Sequence, residues 1–222
     1  MHIVGNQPNL QKYTGGVLQY DFGKTIEKGE FIRTGSLCKP PTVLSTALLK
    51  LQARHRIKGN AISRYIKKFE SNEMMCDEFR YQGSEHDQLF EANYDHEPSK
   101  DECKACDEQR LQKRKPRNKE TPEVHYGLIG SADQVMRHGA TREVLRKETG
   151  ILCFEMEAAG LMDNFPCLII RGICDYSDTH KNKRWQPYAA ATAAAYAKEL
   201  LEIIPKTQVT STKEAAKIVD LS

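Results

Sequence analysis

The chain has 222 residues, 39% of them apolar, enough for one sizeable α/β core or two small ones in an ordinary globular protein. Its 33 basic and 30 acidic residues leave a formal net charge of +3, too even a balance to direct it to nucleic acid or a membrane surface. No stretch approaches the about 18 apolar residues of a membrane span, and no basic segment followed by an apolar run opens the chain. Seven cysteines without framework spacing read as reduced thiols of an intracellular, cytoplasmic protein. Four of them, Cys38, Cys153, Cys167 and Cys174, stand in apolar or helix-flanking contexts that predict small buried hydrophobes.

In chain order, the first element the pattern predicts is a strand over Gly16–Phe22, bounded by Gly15-Gly16 and Gly23. Pro40-Pro41 opens a helix whose Leu44, Ala47, Leu48 and Leu51 fall at i, i+3, i+4 and i+7. A second helix is predicted from Asn60 to Glu70, with Ile62, Ile66 and Phe69 inward. From Asp77 to Pro122 periodicity gives way to charged and turn-forming residues, a length that predicts a lid or an inserted loop. Its basic run, Arg110 to Lys119, has no interleaved aromatic residues and reads as a solvated loop rather than a nucleic-acid surface. Cys103-Lys-Ala-Cys106 with His86 and His96 raises zinc, but a second tight pair at definite spacing is missing. The segment is therefore read as an unmetallated loop, with no metal expected.

Beyond it come a strand over His125–Ile129, a helical segment near Asp133–Met136, and a helix over Thr141–Glu148 ended by Gly150. A further helix spans Glu157–Asn164 and stops at Phe165-Pro166. The nearly continuous apolar run Cys167–Cys174 reads as a strand buried on both faces of a parallel sheet. Pro187 begins the last helix, with Ala193, Tyr196, Ala197, Leu200, Leu201 and Ile204 on one face. Alternating strands and helices argue the α/β class. One domain over residues 1–204 is expected, with 77–122 as an insertion and 205–222 as a polar tail.

Phe154-Glu-Met-Glu-Ala-Ala-Gly160, followed by Ile169-Ile-Arg-Gly-Ile-Cys-Asp175, resembles the phosphorylase-fold family of purine and uridine phosphorylases and methylthioadenosine/adenosylhomocysteine nucleosidases. Gly127-Leu-Ile-Gly-Ser-Ala-Asp-Gln134 is similar to that family's glycine-serine-aspartate block. Gly15 to Lys24, Gly35 to Pro41 and Arg171 to Tyr188 resemble its filamentous-fungal branch, whose domains often stand at the front of NLR-type signalling proteins. The resemblance implies a phosphorylase/hydrolase-like fold, a central mixed sheet flanked by helices, in a homo-oligomer. It also implies a purine nucleoside or nucleotide as ligand, no cofactor, and phosphate as co-substrate if the reaction is phosphorolysis rather than hydrolysis. Family members normally open with strands that carry a glycine-rich loop and, in nucleosidases, the water-activating carboxylate. No Gly-x-Gly loop precedes Gly15 here and the first acidic residue is Asp21. The expectation is a domain truncated at its amino terminus, with little activity from this chain alone.

Breaking an N-glycosidic bond builds positive charge on the sugar and negative charge on the departing base, so the site must grip one and protonate the other. The family pattern assigns Glu157 to the ribose hydroxyls, Met156 to the underside of the sugar and Glu155 to support of the loop. It casts Asp175 as the catalytic residue that hydrogen-bonds to or protonates a purine ring nitrogen, places Gln134, Val135 and Met136 where the family lines its base pocket, and makes Ser131, which with Asp133 stands just before them, a further substrate-binding candidate. Each has a structural alternative: Glu157 suits a helix amino terminus, Met156 a core, Asp175 a turn, and Ser131 a helix cap. Asp178 competes with Asp175, and Arg171, inside a strand, makes a poor phosphate ligand. The competing function is a repurposed module for ligand sensing or oligomerisation.

Overall fold

The computed structural model describes residues 2–6, 16–35, 37–97, 103–115 and 121–211. Its strands are β1 (His2–Asn6), β2 (Val17–Gln19), β3 (Gly23–Thr25), β4 (Phe31–Arg33), β5 (Glu123–Ser131), β6 (Ile151–Glu155) and β7 (Ile170–Ile173). Its helices are α1 (Thr42–Lys58), α2 (Ile62–Glu70), α3 (Cys76–Phe79), α4 (Gly139–Thr149), α5 (Ala158–Asn164), α6 (Gln186–Ile203) and α7 (Lys206–Ser211). The fold is mixed α/β, as the alternation of elements predicts. Gly15, Ser36, the Lys119 end of the basic run and residues 212–222 of the expected tail lie outside the described residues. Among the described residues no helix is long and apolar enough to cross a membrane.

β5 organises a five-stranded sheet. β1 lies parallel to its first half, His2 opposite Glu123 and Asn6 opposite Gly127, while β2 lies parallel to its second half, Val17 opposite Ile129. β6 is also parallel to β5, with a register shift between Leu128 and Ile129. β7 runs antiparallel to β1, Ile173 opposite His2. The sheet is therefore mixed, and the expectation of a doubly buried parallel strand at Cys167–Cys174 is corrected: β7 is shorter, antiparallel and only half-buried along its length. β1 is an element the pattern did not predict. β3 and β4 form a separate hairpin where a single strand to Phe22 was expected, because the chain turns at Tyr20-Asp21.

Three apolar clusters hold these elements. The largest joins α1, α2 and α6 through Leu48, Leu51, Ile62, Ile66, Tyr196 and Leu200. The stripe read from α1 is the one buried, but α6 turns Thr192, Ala195, Tyr196 and Glu199 inward and leaves Leu201 64% exposed, against expectation. Within this cluster Glu199 is almost fully buried: one carboxylate oxygen accepts the Ala61 N–H at 2.7 Å and the other lies 3.2 Å from His55 Nε2. Strand periodicity divides the other two clusters, Val17 packing with Ile129 and Met162, its neighbour Leu18 with Leu145 and Ile151. Gly150 ends α4 in the left-handed conformation, φ 78°, as predicted. No helix forms at Asp133–Met136; the Asp133 N–H donates to the Asp21 carboxylate at 2.9 Å instead.

Candidate functional site

The candidate site is a cleft of about 700 Å³ between β6 and β7. Because β6 is parallel to β5 and β7 antiparallel to β1, the carboxyl ends of β6 and β7 point to opposite edges of the sheet. The cleft accordingly runs along the sheet rather than sitting at a single carboxyl edge, where Asp175 was expected. Val135, Met136, Glu155, Met156, Glu157 and Asp175 all line it.

Glu155 and Ser131 build the corner that presents Met156 and Glu157. The Glu155 side chain is buried, and one of its oxygens accepts the N–H groups of Glu157 at 3.0 Å and Ala158 at 2.9 Å. The fully buried Ser131 hydroxyl accepts the Ala159 N–H at 3.0 Å. Three of the orphan donors that open α5 are thus satisfied. Ser131, expected as a substrate-binding residue, thus lies outside the cleft and caps the helix instead. With that corner fixed, Met156 and the Glu157 carboxylate project outward, 40% and 61% exposed. Glu157 pairs with Arg171 Nη1 at 3.1 Å. Arg171 itself lines the cleft, so its place in a strand does not hide it.

Asp175 follows β7 with a nearly buried side chain. One oxygen accepts the Ser177 N–H at 2.9 Å; the other lies 3.3 Å from Lys181 Nζ and accepts from the Cys174 thiol at 3.3 Å. Burial, with the neighbouring Asp175 charge, pushes the Cys174 thiol up to about 11, so it remains protonated at neutral pH and is no nucleophile. Asp178, the competing carboxylate, is excluded from the cleft: it is buried, accepts the His180 N–H at 3.0 Å and faces Arg142 at 3.4 Å.

Residues that the sequence did not single out complete the walls. Arg142, Glu143, Arg146 and Lys181 line the cleft. Tyr176 donates its hydroxyl proton to Asp87, and Arg114 donates to both. Burial and the Asp87 carboxylate push the Tyr176 hydroxyl up to about 12, while for Asp87 the Tyr176 and Arg114 contacts outweigh burial and hold the carboxyl low. These contacts lay Asp87 and Arg114 of the 77–122 segment against the loop after β7. No local pattern announces them, because the partners are far apart in sequence.

Over 202 residues, 91% of its length, the chain is 45% identical to a nucleotide-binding leucine-rich repeat (NLR)-like protein of Hyaloscypha variabilis, of which it covers 19%. Over 89 residues, 38% of its length, it is 28% identical to the 5'-methylthioadenosine/S-adenosylhomocysteine nucleosidases of Mycobacterium bovis and Mycobacterium tuberculosis, covering 35% of each. The chain thus spans about a fifth of the NLR-like relative and about a third of the nucleosidases. No protein-family model matches it, and no solved structure does.

Proposed function

We propose that this chain is a nucleoside phosphorylase-like domain that binds a purine nucleoside or nucleotide in the cleft and cleaves its N-glycosidic bond. The supporting observation is that Met156 and Glu157, beyond the end of β6, and Asp175, beyond the end of β7, line the same cleft. In this reading Glu157, steadied by Arg171, accepts hydrogen bonds from the ribose hydroxyls, and Met156 underlies the sugar. When the bond between the sugar carbon and the base nitrogen breaks, its electron pair leaves with the base. Asp175 hydrogen-bonds to a ring nitrogen or delivers to it a proton taken up from solvent, and the sugar cation is attacked by a phosphate oxygen or by a water that releases one proton back to solvent. Arg142, Arg146 and Lys181 supply positive charge for a phosphate group, either of a nucleotide or of the co-substrate. The likeness to the two nucleosidases supports glycosidic cleavage at this level.

The 45% identity to an NLR-like protein favours a second reading, in which the same cleft senses its ligand within a larger signalling chain without turning it over. Release of free purine from a panel of nucleosides and nucleotides, with and without phosphate, separates the two. Cleavage predicts free base whose yield falls in Asp175→Asn, and dependence on phosphate identifies phosphorolysis. Binding without release supports sensing. Folded protein that neither binds nor cleaves any purine nucleoside or nucleotide overturns both.

A further inference from the structure

Between residues 77 and 115 Phe90 is the one buried side chain among those described, so apolar burial does little to fix the path of this segment. Three metal-binding side chains nevertheless meet within it. A ring nitrogen of His96 and the Sγ atoms of Cys103 and Cys106 all lie within 4.8 Å of one another, half-buried. Cys103 and Cys106 flank a 3₁₀ turn closed by the Cys106 N–H on the Cys103 carbonyl at 3.0 Å, which aims both thiols the same way. The His96 backbone is held independently, its N–H donating to Thr179 Oγ1 at 2.8 Å.

A second observation points to the same place. His180, in the loop after β7, is buried, and neither of its ring nitrogens has a hydrogen-bond partner. Buried polar groups are rarely left so, and an ion is one of the ordinary explanations. The ring is stacked on Phe90 at 4.1 Å and stands perpendicular to His96, with 5.5 Å between centroids; the Cys103 thiol donates to the His180 carbonyl at 3.8 Å. Its Nδ1 is 3.9 Å from the Asp178 carboxylate, too far for a hydrogen bond but placed as the carboxylate that steadies a metal-bound imidazole.

Two thiolates and two imidazoles are a donor set zinc prefers, in a closed tetrahedron with bonds of about 2.0–2.3 Å. Sequence spacing argued against such a site because the Cys-x-x-Cys lacked a second tight pair. The fold brings His96 to the two thiols and stands His180, from the loop that follows β7, beside that group, its ring centroid 5.5 Å from that of His96. His86 is not in that group; its Nε2 lies 3.8 Å from the Glu85 carboxylate. We propose that His96, Cys103 and Cys106, completed by His180, bind one structural zinc ion that clasps the insertion to the loop bearing Asp175 and Tyr176.

The test is the metal content of the whole chain purified with reduced thiols and supplied with zinc, together with the absorption spectrum of its cobalt form. One zinc per chain is expected, with tetrahedral ligand-field bands and sulfur-to-cobalt charge transfer. The Cys103→Ser/Cys106→Ser variant should lose the ion. His96→Asn and His180→Gln should each weaken it by at least about tenfold, and Cys76→Ser, outside the cluster, should keep it. Chelation of the wild type should speed proteolysis within 77–122. Less than a tenth of an equivalent of zinc, an octahedral cobalt spectrum without charge transfer, or full stoichiometry in the double cysteine variant would overturn the proposal. The cobalt spectrum of the wild type decides the matter even if the double variant does not fold. Unchanged affinity in His180→Gln would remove His180 as the fourth ligand.

Discussion

The helical block of α1, α2 and α6 and the cleft block of β6, α5 and β7 solve the folding problem by different means. The first buries Leu48, Leu51, Ile62 and Tyr196 almost completely, so its stability comes from apolar area removed from water. The second also buries Ala158 and Met162, but directed polar contacts set the side chains around its cleft: the Glu155 and Ser131 caps, the Arg142–Asp178 pair, and the Tyr176–Asp87–Arg114 trio. A corner built from hydrogen bonds can hold Glu157 out toward a ligand, whereas a close-packed core presents nothing. Damage to the first block should therefore appear in stability, and damage to the surface of the second in ligand binding.

The largest effect is expected from Leu51→Ala, a fully buried truncation that should cost about 2–5 kcal/mol in urea unfolding while leaving the ligand affinity of the folded fraction unchanged. Next comes Gly172→Ala. A Cβ there would stand 2.1 Å from the Ala189 carbonyl oxygen, so α6 and β7 must separate, at about 1–3 kcal/mol. Because Gly172 also lines the cleft, this variant couples the two blocks and should lower both thermal midpoint and affinity. Glu155→Ala removes two N–H partners from the start of α5 and should lower stability by about 1–2 kcal/mol, with a parallel loss of affinity as Glu157 loses its fixed presentation. A variant that lost stability but bound ligand as before would break the proposed link between cap and site.

The smallest effect concerns acid. The folded Asp87 carboxyl is held low by Tyr176 and Arg114, so its contribution to stability is present above the unfolded value of about 3.9 and disappears as pH falls through the lower folded value. Tyr176→Phe should lower stability at neutral pH, where that contribution is present, and leave it little changed below the folded value, so that the acid limb flattens. An acid limb identical to the wild type would show that the trio contributes nothing to linkage.

The same contrast governs what the sequence reveals. The α1 stripe and the Gly150 cap were legible because helix periodicity and glycine chemistry are local. Val135, Met136, Met156, Glu157 and Asp175 could be grouped from motif resemblance, and the fold brings them to one cleft. Ser131 was misplaced because a buried hydroxyl at a strand end looks the same in sequence whether it caps a helix or meets a ligand. β1 escaped notice because a five-residue strand gives almost no periodic signal, and β7 was assigned the wrong neighbours because an apolar run does not record strand direction. Asp87, Arg114, Arg142 and Lys181 were invisible for a related reason: their roles depend on contacts between segments that only the fold brings together.

The central claim is that Glu157 and Asp175 recognise the ligand without holding up the fold, and a calorimetric titration with purine nucleosides and nucleotides tests it most directly. Wild type, Glu157→Gln and Asp175→Asn are titrated after each has been shown to unfold within about 0.5 kcal/mol of the others. The account predicts saturable binding to the wild type and an affinity at least about tenfold weaker, or about 1.4 kcal/mol, in each variant. Equal affinities across the three proteins, or no binding of any purine nucleoside or nucleotide to the wild type, would contradict it.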